Sequence, residues 1–331
     1  MTKRLLIFGD GEWATNSLKR LLQEKWEIAG IVARVKPTDP KLLKLAKEFR
    51  LPVFQPANVN RETFVSQVNA LQPDLNISIS YDQILQKAIR ETAPLGFINF
   101  HAGKLPQYRG RNVINWAIIN GETEIGLTAH FVDDGIDTGD IIVQRTLPIT
   151  WTDTYQSVLN KVIAAFPDLV SETVHKVVTG NFTPIRQAHL PGTYFAARGE
   201  GDEWLNWEDT SVNIYRKIRA ITHPGPGART LLGNRPVIIW KAQYDPSWPK
   251  YMATPGQVVG KRPNGVIVKT GDSTILITKV QIENEQPQTP KWRIGTRLGI
   301  NQTDILYQLI NQIAQLERKI QEISENKGQQ Q

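Results

Sequence analysis

The feature that most constrains the fold is an alternation of short apolar runs with helix-spaced segments through the first 150 residues. Residues 3–8 form an apolar run closed by Gly9, and 12–22 have helical spacing. Residues 26–35 read as a second strand, 41–50 as a basic helix and 52–54 as a short third strand. A helix over 61–71, a strand over 74–80 and a helix over 84–91 follow. Residues 96–101 read as a strand leading into a loop at 102–110, then come a helix at 113–120 and strands at 127–132 and 141–147. Such alternation implies parallel pairing in a doubly wound, mostly parallel α/β sheet.

Beyond residue 150 the pattern changes. Residues 152–179 give one long helical pattern, interrupted at Pro167, and 181–203 are rich in Gly, Pro and Thr and read as a linker. After Trp204 come a helix at 211–221, a turn at 223–228 and strand-like runs at 236–242, 256–260, 265–270 and 274–281. Pro263-Asn264-Gly265 and Gly271-Asp272 punctuate them as hairpins. Short strands without crossover helices predict a smaller, open β-barrel domain. Ile305, Leu309, Ile313, Leu316 and Ile320 then share one face of a helix over 303–323, a stripe that suits either a homodimer or docking on the same chain. The expected organisation is a first domain over 1–180, a linker over 181–203, a barrel over 204–285 and an extension over 286–331.

Composition narrows the function classes. No run approaches the roughly 20 apolar residues of a membrane helix, and the apolar run within 1–9 is too short for a signal peptide. There is no cysteine, hence no disulfide, thiolate ligand or cysteine nucleophile. The five histidines show no ligand spacing, so no metal is expected. A cytoplasmic protein is the default reading. Thirty-nine Lys and Arg against 32 Asp and Glu give a net charge of +7. That balance suits an anionic partner, whether nucleotide, polyglutamate or nucleic acid, without choosing among them.

Gly9-Asp10-Gly11-Glu12-Trp13-Ala14 follows a strand and opens a helix, as a dinucleotide-binding turn would. The second strand, however, ends at Arg34 with no carboxylate before Asp39 to hold a ribose. Asp10 and Glu12 also set negative charge where a pyrophosphate would lie. A tight strand-to-helix turn is the alternative reading.

The stretch that carries chemistry is Asn99-Phe100-His101, with Asp137 in a loop between Gly135 and Gly139. Residues two apart on a strand project to one face, and Asn99 and His101 end their strand where open α/β sheets place ligands. An amide donor, an imidazole and a carboxylate suit acyl transfer to an amine. The oxyanion needs donors, and the attacking ammonium must lose a proton. Satisfied structural roles for Asn99 and His101, and a turn-capping role for Asp137, are equally open on spacing alone.

Around these residues, Asn99-Phe100-His101, Leu105-Pro106-Gln107-Tyr108-Arg109-Gly110, Gly126-Leu127-Thr128 and Gly135-Ile136-Asp137-Thr138-Gly139-Asp140 resemble the 10-formyltetrahydrofolate-dependent formyltransferases, which include methionyl-tRNA, glycinamide ribonucleotide and amino-sugar enzymes. Trp204 to Trp207, Pro224 to Ala228 and Val237 to Ala242 resemble the second domain of the tRNA and aminoarabinose members. The resemblance implies that Asn99 and His101 handle oxyanion and proton, with Asp137 supporting His101. It also implies a pterin resting on backbone at Gln83, Ile84 and Leu85 and at Asp133, Asp134, Gly135 and Ile136, and a folate contact from Arg111. One departure stands out: where the family usually reads His-Gly-Ser-Leu-Leu-Pro, this chain has His101-Ala102-Gly103-Lys104-Leu105-Pro106.

The amine acceptor is read from smaller features. Methionyl-tRNA formyltransferases resembling this chain carry a long basic insertion after the second strand, whereas here the segment 34–40 is short and offers only Arg34 and Lys36. Residues 51–60 and 109–116 look closer to nucleotide amino-sugar enzymes, with Arg111 and Lys104 as candidates to meet a diphosphate. The expected acceptor is therefore an anionic nucleotide-linked amino sugar. Methionyl-tRNA and another amine, such as a carrier-bound amino acid, remain alternatives.

Overall fold

The computed structural model describes residues 3–35, 38–187, 190–300 and 302–328. Its α/β part runs β1 (Arg4–Gly9), α1 (Gly11–Gln23), β2 (Glu27–Val32), α2 (Pro40–Glu48), β3 (Val53–Phe54), α3 (Glu62–Leu71), β4 (Leu75–Ile79), α4 (Lys87–Arg90) and β5 (Phe97–His101). Then come β6 (Arg109–Gly110), α5 (Val113–Asn120), β7 (Glu124–Phe131), β8 (Ile141–Pro148), α6 (Tyr155–Thr179) and β9 (Tyr194–Phe195). Seven strands form one sheet in the order β3-β2-β1-β4-β5-β7-β8. The reversal of direction on either side of β1 is the doubly wound topology. Strands β1 and β2 are near-continuous apolar runs because helices cover both faces. Leu6, Phe8, Ala29, Val32 and Phe97 anchor one such layer, packed with Phe64 and Val68 of α3.

The sheet is mostly parallel, as expected, and two local expectations are overturned, an interruption of α6 at Pro167 and a helix over 84–91. Pairing is parallel from β3 through β5, but β7 runs antiparallel to both β5 and β8. Only the two-residue β6, the eight-residue α5 and loops separate β5 from β7, and β7 returns directly into β8 through the loop at 132–140, a connection that antiparallel strands allow. Pro167 does not interrupt α6, which continues through it. A proline inside a helix costs about 3 kcal/mol. Here Val158, Val162, Phe166, Leu169, Val170, Val174 and Val177 are buried along one face and outweigh that cost. A Thr154–Ser157 capping box starts the helix and Gly180, at φ +71°, ends it. The helix expected over 84–91 is confined to α4.

The glycine motif at 9–14 is a tight strand-to-helix turn. A Cβ on Gly9 would lie 2.5 Å from the Ile79 carbonyl oxygen. The Asp10 carboxylate, 3% exposed, accepts from Gly11 N at 2.7 Å and Asp39 N at 2.7 Å, so it caps the start of α1 itself.

The remaining elements are α7 (Ser211–Ile221), β10 (Ala228–Leu232), β11 (Arg235–Gln243), β12 (Val258–Arg262), β13 (Gly265–Lys269), β14 (Thr274–Ile282) and α8 (Gln302–Gly328). The five strands form an antiparallel sheet, β10-β11-β14-β13-β12. Arg297 bridges to Gln257 beside β12, and its neighbour Leu298 bridges to Leu232 of β10. One short segment thus joins both edges and makes the sheet an open barrel. Strand β10 was hidden in the sequence by the adjacent proline-glycine turn. Contacts divide the chain into two compact units, one up to Asp202 with Arg219–Pro226 and the other Glu203–Ile218 with Gly227 onward. No helix among the described residues is long and apolar enough to cross a membrane.

Candidate active site

Strand β5 delivers Asn99 and His101 to one face, as the alternation of a strand requires. Because β7 is antiparallel, its register sets His130 opposite Asn99 and Thr128 opposite His101, on that same face. The β7–β8 loop then brings Asp137 against Asn99, His101 and His130. Asn99 Nδ2 donates to Asp137 Oδ1 at 3.2 Å and lies 3.2 Å from His130 Nε2. His101 Nδ1 lies 3.6 Å from Asp137 Oδ2, His130 Nε2 lies 3.4 Å from Oδ1, and Gly110 N donates to Oδ2 at 2.9 Å. Burial alone would raise the Asp137 carboxyl. The His101 and His130 imidazoles and the Gly110 N–H outweigh it and hold the group well below the usual carboxylate range.

The outward nitrogens of both rings are fixed by backbone. His101 Nε2 donates to the Tyr108 carbonyl at 2.7 Å, and His130 Nδ1 donates to the Phe131 carbonyl at 2.8 Å. The Phe131 carbonyl thus fixes the ring so that His130 Nε2 faces both the Asn99 amide and Asp137 Oδ1. His101 is held at both nitrogens, Nδ1 facing Asp137 and Nε2 the Tyr108 carbonyl. His130 was missed in the sequence reading. Its signal was the Thr128/His130 alternation in a strand, but only the antiparallel register tells which face that is.

The loop after His101 is tied down from several sides. Thr128 Oγ1 donates to the Gly103 carbonyl at 2.7 Å, and Gln144 Nε2 donates to the Leu105 carbonyl at 2.9 Å. Within the stretch read as a linker, Gln187 and β9 complete the frame. Strand β9 pairs with β6, and Gln187, 1% exposed, donates to the carbonyls of Asp137 at 3.2 Å and Gly139 at 2.6 Å. Its Oε1 accepts from buried Arg109 at 2.9 Å. Tyr108, Asn112 and Asp137 all have left-handed backbone, with φ of 60°, 53° and 53°. Such conformations cost of order 1–3 kcal/mol each and concentrate at functional sites.

Gly103 is required by this packing: a Cβ there would meet His101 Nε2 and the Tyr108 oxygen, each at 2.4 Å. Lys104 is ion-paired with Glu124 and does not line the cleft.

These residues form one wall of a cleft of about 560 Å³, within the range of small-molecule sites. Asn99, His101 and Asp137 line it together with Gln83, Ile84 and Arg111. Ile84 is 70% exposed, an apolar ledge. The Arg111 side chain has no hydrogen bond or ion pair among the described residues, and Arg34, bonded to Ser80, lies in the same cleft. Leu85 packs on the core instead, and Asp133, Asp134, Gly135 and Ile136 shape the neighbouring loop without lining the cleft. Asp133 accepts from Gly135 N and Thr138 Oγ1, at 3.1 and 2.6 Å, while Asp134 pairs with Arg90. Lys36 lies outside the described residues. Among those residues, no cluster of three His, Asp or Glu could hold a metal.

A doubly wound sheet carrying Asn, His and Asp at this position, joined in sequence to an open barrel, defines a class, and comparison with known proteins identifies it. A model of the formyl transferase family matches residues 3–174, and one of the formyl transferase C-terminal domain matches 199–294. The chain therefore belongs to the formyl transferase family and is a formyltransferase. It is 32% identical to a methionyl-tRNA formyltransferase of Desulforamulus reducens, over 86% of this chain and 91% of that one. Among solved structures it is similar in fold to WlaRD, a sugar 3N-formyl transferase crystallised with dTDP and 5-N-formyl-THF, at TM-score 0.66 and 23% identity over 86% of this chain and all of that one. An N-formyltransferase from Helicobacter canadensis, in complex with folinic acid and dTDP-3-aminofucose, matches at TM-score 0.66 and 21% identity, over 84% and 99%.

Proposed function

We propose that the protein transfers the formyl group of 10-formyltetrahydrofolate directly to a primary amine carried by a nucleotide-linked sugar. The observation that carries this reading is the meeting of Asn99, His101, His130 and the Gly110 N–H on one ionised carboxylate, Asp137, at the wall of the cleft. The amine nitrogen attacks the formyl carbon, a C–N bond forms, and the bond from that carbon to N10 of the folate breaks. The proton lost by the amine ends on N10. Asn99 Nδ2 and the His101 ring supply donors for the oxyanion, and His101 moves the proton. Asn99's present bonds, both 3.2 Å, are long enough for a substrate oxygen to compete for them. Asp137 stays charged, orients His101 and stabilises its protonated form. The chain has no cysteine, and no Ser is part of this cluster, so the reading is direct transfer without an acyl-enzyme.

The pterin would lie along Gln83 and Ile84, beside the 133–136 loop. Gln83 is already fixed for this, accepting from Val59 N at 2.8 Å and donating to the Pro56 carbonyl at 3.0 Å. Arg111 is available to an anion, either the folate tail or the acceptor's diphosphate. A sugar nucleotide is favoured because the cleft has small-molecule size and Arg34 turns into it rather than outward. Methionyl-tRNA is the second reading, favoured by the name of the Desulforamulus relative. The test is tetrahydrofolate release from 10-formyltetrahydrofolate with nucleotide 3-amino sugars, nucleotide 4-amino sugars or charged methionyl-tRNA. Rapid release with one sugar is expected. Release with the tRNA alone would replace the acceptor and keep the chemistry.

A further inference from the structure

Helix α8 lies beyond the segment matched by the C-terminal family model, which ends at residue 294, and the formyl-transfer reading gives it no role. Its 27 residues make a rod about 40 Å long at 1.5 Å per residue. Leu306, Leu309, Ile313, Leu316, Ile320 and Ile323 follow one another at intervals of three and four. This is a strict heptad, with 306, 313 and 320 at a positions and 309, 316 and 323 at d. Leu306, Leu309, Ile313 and Leu316 are 61, 48, 55 and 59% exposed in the single chain. A contiguous apolar stripe left in water marks an interaction surface.

We infer that α8 pairs in parallel and in register with α8 of a second copy of this chain, forming a two-stranded coiled coil. A helix that docks on a globular core carries a broad apolar face at a period of 3.6, whereas a two-position stripe at 3.5 fits a partner helix of the same repeat. A second copy supplies that repeat over the same length. The central a/d pair, Ile313 with Leu316, has the isoleucine-leucine pattern that favours two strands.

The flanking positions choose the orientation. In a parallel pair, each g position meets the e position five residues further along the other copy. That sets 305 beside 310, two isoleucines, 312 beside 317, Gln with Glu, and 319 beside 324, Lys with Ser. An antiparallel pair with the same six core layers would set Ile305 beside Asn326 and Ile310 beside Glu317, wasting both apolar flanks. Neither orientation sets like charges together, and only the parallel register matches apolar with apolar.

The test is the solution mass of the full chain by light scattering at tens of micromolar. Twice the 37.4 kDa chain mass is expected, and the chain mass itself, or a trimer or tetramer, overturns the inference. Ile313→Lys combined with Leu316→Lys should halve the mass and leave the thermal transition of the rest of the chain in place. A variant that stays dimeric shows that another surface holds the copies, which also overturns it. Because the chain has no cysteine, Gln302→Cys, at the preceding d position, reports orientation cleanly. A disulfide-linked dimer under mild oxidation is expected. In the antiparallel pair position 302 would face 327, leaving the two thiols about 37 Å apart, so absence of the cross-link refutes parallel pairing.

Discussion

Gly103 offers the sharpest perturbation of the site, because the residue that the resembling family usually has there is serine. Any side chain at 103 begins with a Cβ 2.4 Å from His101 Nε2 and 2.4 Å from the Tyr108 oxygen, whereas ordinary contact is 3.4–4 Å. One partner must therefore retreat by about 1 Å, the difference between 3.4 and 2.4. The Tyr108 backbone is held by its N–H to Thr193 Oγ1 at 3.1 Å and by its hydroxyl to Glu122 at 2.6 Å, so the imidazole yields. The 2.7 Å His101–Tyr108 bond then breaks, a loss of about 1 kcal/mol. The catalytic effect is larger, since a displacement of about 1 Å in a reacting group costs about 100-fold. Gly103→Ala and Gly103→Ser should each lower kcat for tetrahydrofolate release about 100-fold, with Tm falling by less than about 5 °C. A Gly103→Ser enzyme within twofold of wild-type kcat would refute the argument that this chain's imidazole position depends on glycine.

Other expectations follow from the same geometry. His130→Leu removes a polar neighbour of the Asn99 amide and a partner of Asp137, and should lower kcat about tenfold with KM little changed; an unchanged kcat makes His130 a bystander. Gln187→Leu strips partners from two carbonyls and from buried Arg109 and should destabilise by about 2–4 kcal/mol, read by urea unfolding, with a parallel loss of kcat. Asp153, 9% exposed at its side chain, is held well below the ordinary carboxylate range by Lys161, Ser157 and Thr150, which outweigh its burial. A depressed folded-state value adds stability above the unfolded value of about 4 that is lost as pH falls below it. Asp153→Asn should thus cost about 2 kcal/mol at pH 7, a gap that begins to narrow below about pH 4 and closes only as pH nears the depressed folded-state value, whereas a gap that does not narrow at all below pH 4 would remove the ion pair from the explanation.

How much of this was legible in the sequence depends on whether the determinant was local. That Asn99 and His101 share a face follows from strand periodicity, and the strand-to-helix turn at Gly9 could be separated from a dinucleotide site by Asp10 and Arg34. The direction of β7 is a tertiary choice, so His130 stayed hidden although its alternation with Leu127, Ala129 and Phe131 was plain. Pro167 was read by its local rule, which the buried face of α6 overrides. Gln187 sits in a Gly- and Pro-rich stretch without periodicity, and nothing local marks it as the residue that links Arg109 to the Asp137 loop. The heptad of α8 was visible only as a helical stripe until exposure in the fold showed that the single chain leaves it uncovered.

The most direct test of the central claim is Asp137→Asn, assayed by tetrahydrofolate release with the acceptor that the wild type uses. The amide keeps the size of the carboxylate but removes the charge that Asn99, His101, His130 and the Gly110 N–H converge on. A fall in kcat of about 10³-fold or more is expected, with donor binding and the folded state retained. A rate within tenfold of wild type would contradict the assignment of Asp137 as the centre of the site.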